Sequence, residues 1–247
     1  SPVAYADFGI WQIDINNQQY PTDVLSFRQA LSYMIDKQYF INHYLSGMGH
    51  KADSPSAHAL GWYDHACDDL YNLQPRTYLQ PMVIPPTDAL IDWEIAYDLL
   101  VADLGPPVPD PADPSYYYWP WPSPFPDVPD GHLLMWAPSD DPIRIQLGYH
   151  VKDLLELYLP LVLTYLGKPP AHIYVDLRIA PPKVILLELM ACHFHLYTAS
   201  WVLTREPFHG ISDWIGYTVP PQWNQGLQAN RTFPASEPGT ASYYISQ

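Results

Sequence analysis

From His132 to Trp201 the spacing of apolar residues switches repeatedly between strand and helix periods, and this switching constrains the fold more than any other feature. "HLLMWAPS" (132–139) is a short apolar run of the kind a buried strand carries. Asp140 to Pro142 then offers a helix start, and "IRIQLGYHVKDLLELYLPLVLTYLG" (143–167) predicts a long helical region that Pro160 should kink or divide. "HIYVDLRI" (172–179) alternates as a strand, "PPKVILLELM" (181–190) opens a helix with proline in its first turn, and "HFHLYTASW" (193–201) alternates again. Strand, helix, strand, helix, strand is the signature of an α/β fold.

The first half of the chain supplies further elements. "GIWQIDIN" (9–16) sets Ile10, Ile13 and Ile15 among polar neighbours and reads as a strand, followed by a loop. Thr22 or Asp23 then offers an N-cap for a helix with Leu31, Met34 and Ile35 at helical spacing. "FRQALSYMIDKQYFINHYL" (27–45) reads as one helix, with Arg28, Asp36 and Lys37 expected at a surface or lobe boundary, and Gly47 and Gly49 ending it. Residues 50–86 are irregular and rich in proline. "TDALIDWEIAYDLLVADLG" (87–105) predicts a second helix, capped by Thr87 or Asp88, with a stripe of Ile91, Ile95, Leu99 and Leu100 and with Gly105 just past its end. "PPVPDPADPSYYYWPWPSPFPDVPDG" (106–131) disfavours helix and central strand alike, yet its aromatic residues predict an ordered loop packed on the body.

Charge narrows the function. Against 11 Lys and Arg stand 26 Asp and Glu, a formal net charge of -15, which repels phosphate backbones and argues against nucleic acid as a partner. Only 15% of the 247 residues are charged, while 29 are Pro and 20 Tyr, so polar contacts must rest largely on uncharged groups. That composition suits an exported protein with a surface tolerant of acid. Cys67 and Cys192 allow at most one intramolecular disulfide or two buried thiols. No basic stretch followed by an apolar one opens the chain, and "LLELYLPLVLTYLG" is interrupted by Glu156 and Pro160 before it reaches a membrane-spanning length of about 18 residues. The chain as given is therefore expected to be soluble, with any leader or anchor removed. Asn230-Arg231-Thr232 is a glycosylation sequon, which fits an exported surface.

Few residues carry recognisable chemistry. "CHFH" (192–195) gathers Cys192, His193 and His195, weak candidates for a metal, but in a strand the two histidines share one face and Cys192 takes the other. "YDHACDD" (63–69) reads best as a solvated acidic loop. Nucleophile elbow, zinc-protease helix, P-loop and dinucleotide-binding glycines are all lacking, and neighbouring carboxylates such as Asp140 and Asp141 suit a helix start better than paired catalysis. The expectation is a binding protein without cofactors, not an enzyme. Trp62, Tyr63, Trp119, Trp121, Trp201, Trp214 and Trp223 are the aromatics able to line a cleft, where their faces fit sugar rings and apolar side chains, although core packing is the commoner fate of any one of them.

Motif order adds a resemblance. "DVLSFRQALSYMIDKQYFINHYLSGMG" resembles the segment D-x-R-x-R-Q-A-[IL]-x-Y-x-[IV]-D-[RK] of the family 5 extracellular solute-binding proteins, the peptide, nickel and oligosaccharide receptors of ABC importers. "WQIDIN" is similar to the strand before it, "AYDLLVADLG" to the helix after it, "LLMWAPSDDPIRIQLGYHVKDLL" to a strand, P-S-x-D-P-x-R turn and helix, and "FHLYTASWVLTREP" to the block F-D-[LI]-Y-x-x-x-W, most like archaeal members. All lie in the family's order.

The resemblance implies a periplasmic-binding-protein-like type II fold, with residues 1–247 forming a single α/β lobe that matches the C-terminal lobe: a mixed sheet flanked by helices, with long Pro- and aromatic-rich loops. It implies a small-molecule or oligomeric solute as ligand, an ABC permease as partner, an extracellular or cell-surface location and tethering through a segment not in this chain. Trp201, Tyr197, Arg205, Trp214 and Trp223 are the ligand-binding candidates. One departure bears on the solute: the peptide receptors carry an Asp a few residues beyond the Trp, where this chain has Val202, Leu203, Thr204 and Arg205, which favours neutral ligands such as oligosaccharides over free peptides. Members are about twice as long, so the N-terminal lobe is expected elsewhere. The alternative is a half-length structural or assembly protein at the cell surface that self-associates through its aromatic surface.

Overall fold

The computed structural model describes residues 9–49 and 90–202. In chain order they form β1 (Gly9–Ile15), α1 (Leu25–Met34), α2 (Lys37–Tyr44), α3 (Leu90–Leu104), β2 (Val108–Pro109), β3 (Tyr117–Tyr118), β4 (His132–Pro138), α4 (Pro142–Asp153), a π-helical turn (Leu154–Tyr158), α5 (Leu159–Tyr165), β5 (Ala171–His172), β6 (Tyr174–Ala180), α6 (Pro182–Met190) and β7 (Leu196–Val202). The main sheet has the order β1-β7-β4-β6; β4 runs parallel to β6 and β7, and β1 runs antiparallel to β7. A smaller sheet, β2-β3-β5, holds part of the proline-rich segment.

β4 explains the layering. Its near-continuous apolar run is what a strand covered on both faces requires. Leu133 and Met135 enter a core with Phe27, Leu31 and Met34 of α1, Trp93 and Leu100 of α3, and Val151, Leu155 and Leu159 of the α4–α5 region. Leu134 and Trp136 point the other way, into a second core with Phe125, Val128, Ile185, Leu189 and Phe194. The result is an α/β sandwich in which α6 and part of the proline-rich segment cover one face, and α1, α3 and the α4–α5 region cover the opposite one.

Several elements begin or end where local chemistry overrides simple periodicity. The helix expected over 27–45 divides at Ile35–Asp36: Asp36 takes an extended conformation, and its Oδ1 accepts the Tyr39 N–H at 2.9 Å, capping α2. Asp36 is thus a buried cap, not the surface charge expected. α1 starts at Leu25 after Val24, which offers no side-chain cap, so neither Thr22 nor Asp23 is the N-cap. Thr22 instead donates to the backbone carbonyls of Asn16 and Gln19, and Arg28 donates to the carbonyls of Thr22 and Asp23. In α3 the buried stripe is Trp93, Ala96, Tyr97 and Leu100, while Ile95 and Leu99 are half-buried. The expected stripe was therefore rotated; the caps Thr87 and Asp88 and the Ile91 side chain lie outside the description, as do residues 50–89.

Within 106–131, Trp119, Trp121, Phe125 and Val128 are buried. Trp119 also donates its indole N–H to the carbonyl of Gly105 at 2.9 Å, closing the C-terminal end of α3. Gly105 there takes φ of +78°, a conformation that suits glycine. Downstream, Pro160 sits in the first turn of α5, directly after the π-turn, which divides the long helical region.

Candidate functional site

Three parallel strands, β4, β6 and β7, end at the same side of the main sheet, and such carboxyl edges are where open α/β sheets hold ligands. β7 pairs with β4 only at Met135↔Leu196 and Trp136↔Tyr197 and then diverges. Pro138 has no N–H to extend the pairing. Arg144, in the first turn of α4, occupies the gap: its Nε donates to the Thr198 carbonyl at 2.7 Å, its Nη2 donates to the Tyr197 hydroxyl, and its guanidinium lies 5.0 Å from the Tyr197 ring centroid. Asp141 positions that turn by accepting the N–H groups of Ile143 and Arg144, and Pro142 starts the helix.

The antiparallel partner completes the cluster. The register sets Asp14 opposite Tyr197, Gln12 opposite Ala199 and Ile10 opposite Trp201. Asp14 accepts a hydrogen bond from the Gln12 amide. Burial raises its carboxyl to about 7, against the lowering effects of the Gln12 bond and the Arg144 charge. Burial likewise raises the Tyr197 phenol, with Arg144 again opposing. A carboxyl poised near neutrality beside a committed guanidinium and an aromatic ring can exchange hydrogen bonds with a polar ligand and take or give a proton as it does so.

Of the five predicted ligand contacts, Tyr197 lies in this cluster. Trp201 has its backbone in β7, and Arg205, Trp214 and Trp223 lie outside the described residues, as does the sequon Asn230. Trp119 and Trp121 are core residues, not cleft walls. Asp14, Gln12 and Arg144 were missed as site residues, although Arg144 ends the P-S-x-D-P-x-R turn. Asp14 falls in the polar phase of the β1 alternation, so the sequence carried no signal that set it apart.

The histidines are arranged differently from the expected strand face. β7 begins at Leu196, after Cys192 with φ of +55°, so His193 and His195 precede the strand. His195 is buried, its Nδ1 accepts the Leu134 N–H at 2.8 Å, and its Nε2 lies 3.1 Å from the Tyr20 carbonyl. His193 sits between Glu188 at 2.5 Å and Asp127 at 2.9 Å. Among the described residues no group of three or more His, Cys, Asp or Glu is placed to hold a metal ion. Cys67 lies outside the described residues.

Solved structures share this architecture. The murein tripeptide binding protein MppA of Escherichia coli superposes with a TM-score of 0.53 at 17% identity, over 90% of this chain and 34% of that one. NikZ of Campylobacter jejuni, solved with Ni(L-His), gives 0.50 at 16%, over 89% and 35%. The mannohexaose-bound periplasmic oligopeptide-binding protein of Thermotoga maritima gives 0.50 at 16%, over 83% and 32%. The fold is that of the type II periplasmic binding proteins. The chain spans about a third of the length of these proteins. No protein-family model matches it, and no curated protein does. Within this fold, β1 and β7 lie side by side, and the Asp14↔Tyr197 pair falls one step from the Ile15↔Leu196 end of their ladder. No helix among the described residues is long and apolar enough to cross a membrane.

Proposed function

We propose that the chain is the C-terminal lobe of an extracellular solute-binding protein that delivers a peptide- or oligosaccharide-class ligand to an ABC permease. The observation that carries this reading is a half-buried acid, guanidinium and phenol cluster at the carboxyl edge of a sheet with the type II binding-protein fold. Likeness to proteins solved with a nickel–histidine complex and with mannohexaose supports a solute receptor and leaves the ligand class broad. Tyr197 and Trp201 are proposed as ligand contacts, with Arg205, Trp214 and Trp223 as further ones, and a second lobe would close over them by a hinge motion. The protein acts outside the membrane and does no covalent chemistry on its ligand.

Isothermal titration tests the proposal. The chain, and a longer form carrying a second lobe, are titrated with tripeptides, nonapeptides and hexasaccharides. Saturable heat at one site per molecule in the longer form, weakened at least about tenfold in the single lobe that lacks the opposing contacts, is the expected outcome. Silence from both forms toward both solute classes overturns it.

A further inference from the structure

Away from the carboxyl-edge cluster, His150 of α4 is 3% exposed, and its Nε2 has no hydrogen-bond partner among the described residues. A buried ring nitrogen without a partner is costly and rare, so its surroundings call for an explanation. Among the described residues, the aromatic rings packed against it all belong to α2. The His150 ring stacks on Tyr39 with centroids 5.4 Å apart and planes 12° apart, and it lies 5.7 Å from Phe40 and 6.1 Å from Tyr44. The backbone of Asp36, the residue that caps α2, also acts on the ring electrostatically. One imidazole therefore touches the start, the middle and the end of an eight-residue helix whose own buried residues are Phe40 and Ile41.

We infer that His150 is a latch that holds α2 on the body while its ring is neutral and releases α2 when the ring takes up a proton. The groups facing it from the packed elements offer little relief for an imidazolium. On the α2 side these are Asp36, Tyr39, His43 and Tyr44; the Asp36 carboxylate accepts the Tyr39 N–H, and His43 stacks on Tyr39 at 3.9 Å. Behind them lie Asp153 of α4 and Tyr158 of the π-turn, which act electrostatically on Tyr44 and on each other. Among the described residues no carboxylate forms a hydrogen bond with Nε2. Burial, with the nearby His43, lowers the ring to about 4, although the Asp36 backbone opposes the shift. Once α2 lifts away, the ring regains its ordinary basicity near 6.5. Protonation then favours the open form, and its share should rise more than about tenfold between pH 6.5 and 4.5.

Hydrogen exchange on the 247-residue chain, corrected for the intrinsic pH dependence of exchange, measures this directly. Protection of the α2 amides should fall more than about tenfold between pH 6.5 and 4.5, while the β4 amides keep theirs. His150→Phe, which keeps an aromatic ring without a titratable nitrogen, should make α2 protection independent of pH across that range. Equal losses in α2 and β4, or the same loss of α2 in His150→Phe, would overturn the latch. Should that variant not fold, the His150 ring signals of the unaltered chain decide: a titration midpoint well below 6 that tracks α2 opening supports it, and a midpoint at 6 or above with α2 still protected refutes it.

Discussion

Single side chains in this fold are held in defined states by what surrounds them. Asp14 is the clearest. Its folded pKa lies near 7 and its ordinary value is 3.8, so its contribution to stability is full below pH 3.8 and lost as pH rises through 7. Asp14→Asn should therefore raise stability at pH 8 by on the order of 1–3 kcal/mol, with the gain vanishing by pH 4 in urea unfolding, and should weaken solute binding. A variant that is less stable than the unaltered chain at pH 8 would contradict this. His195 has the opposite sign. Burial lowers it to about 4, so its contribution is present above 6.5 and lost as pH falls toward 4, when a proton on Nδ1 would displace the Leu134 N–H bond. The acid tolerance suggested by composition meets opposition from this imidazole and from His150. Arg144→Ala removes two hydrogen-bond partners from β7 and should cost about 1–3 kcal/mol, read by the same unfolding experiment.

Elements were legible wherever apolar period and caps agreed, and were misread where a single side chain redirected the backbone. β1, β4, α4 and α6 follow their sequence signals, with Asp141 and Pro142 marking the start of α4. α1 and α2 were read as one helix because Leu31, Met34 and Ile35 keep the apolar spacing up to the break, and nothing local reveals that the Asp36 side chain caps a new helix. His193 and His195 were placed on a strand because they alternate. Their positions are set by partners far along the chain: Asn16, fully buried, donates to the carbonyls of Cys192 and Phe194, and the Asn16 N–H donates to the His195 carbonyl. Pairings 176 and 178 residues apart in sequence leave no periodic trace. Two glycines test the packing between elements. A Cβ on Gly131, at φ of +76°, would lie 2.9 Å from the Trp119 carbonyl oxygen, a backbone atom, whereas on Gly148 it would meet the flexible Leu177 side chain at 2.9 Å. Gly131→Ala should cost about 2 kcal/mol or more, and Gly148→Ala distinctly less, in thermal or urea unfolding. Equal costs would show that the proline-rich segment is not held as tightly as its contacts imply.

For the whole molecule, motif order pointed to the binding-protein architecture that the solved structures share, but the candidate site was legible only in part. Tyr197 was reachable from the sequence; Asp14 and Arg144 come together through the β1–β7 register and the early divergence of β7 from β4, both properties of the folded sheet. The central claim is that this carboxyl edge receives the solute. Backbone amide shifts of the chain, recorded with and without whichever peptide or oligosaccharide gives saturable heat, test it most directly. The largest changes should fall on Gln12, Asp14, Arg144 and Tyr197, with little movement at the exposed face of α6 around Leu187 and Met190. Changes confined to α6, with the carboxyl edge unmoved at saturation, would contradict it.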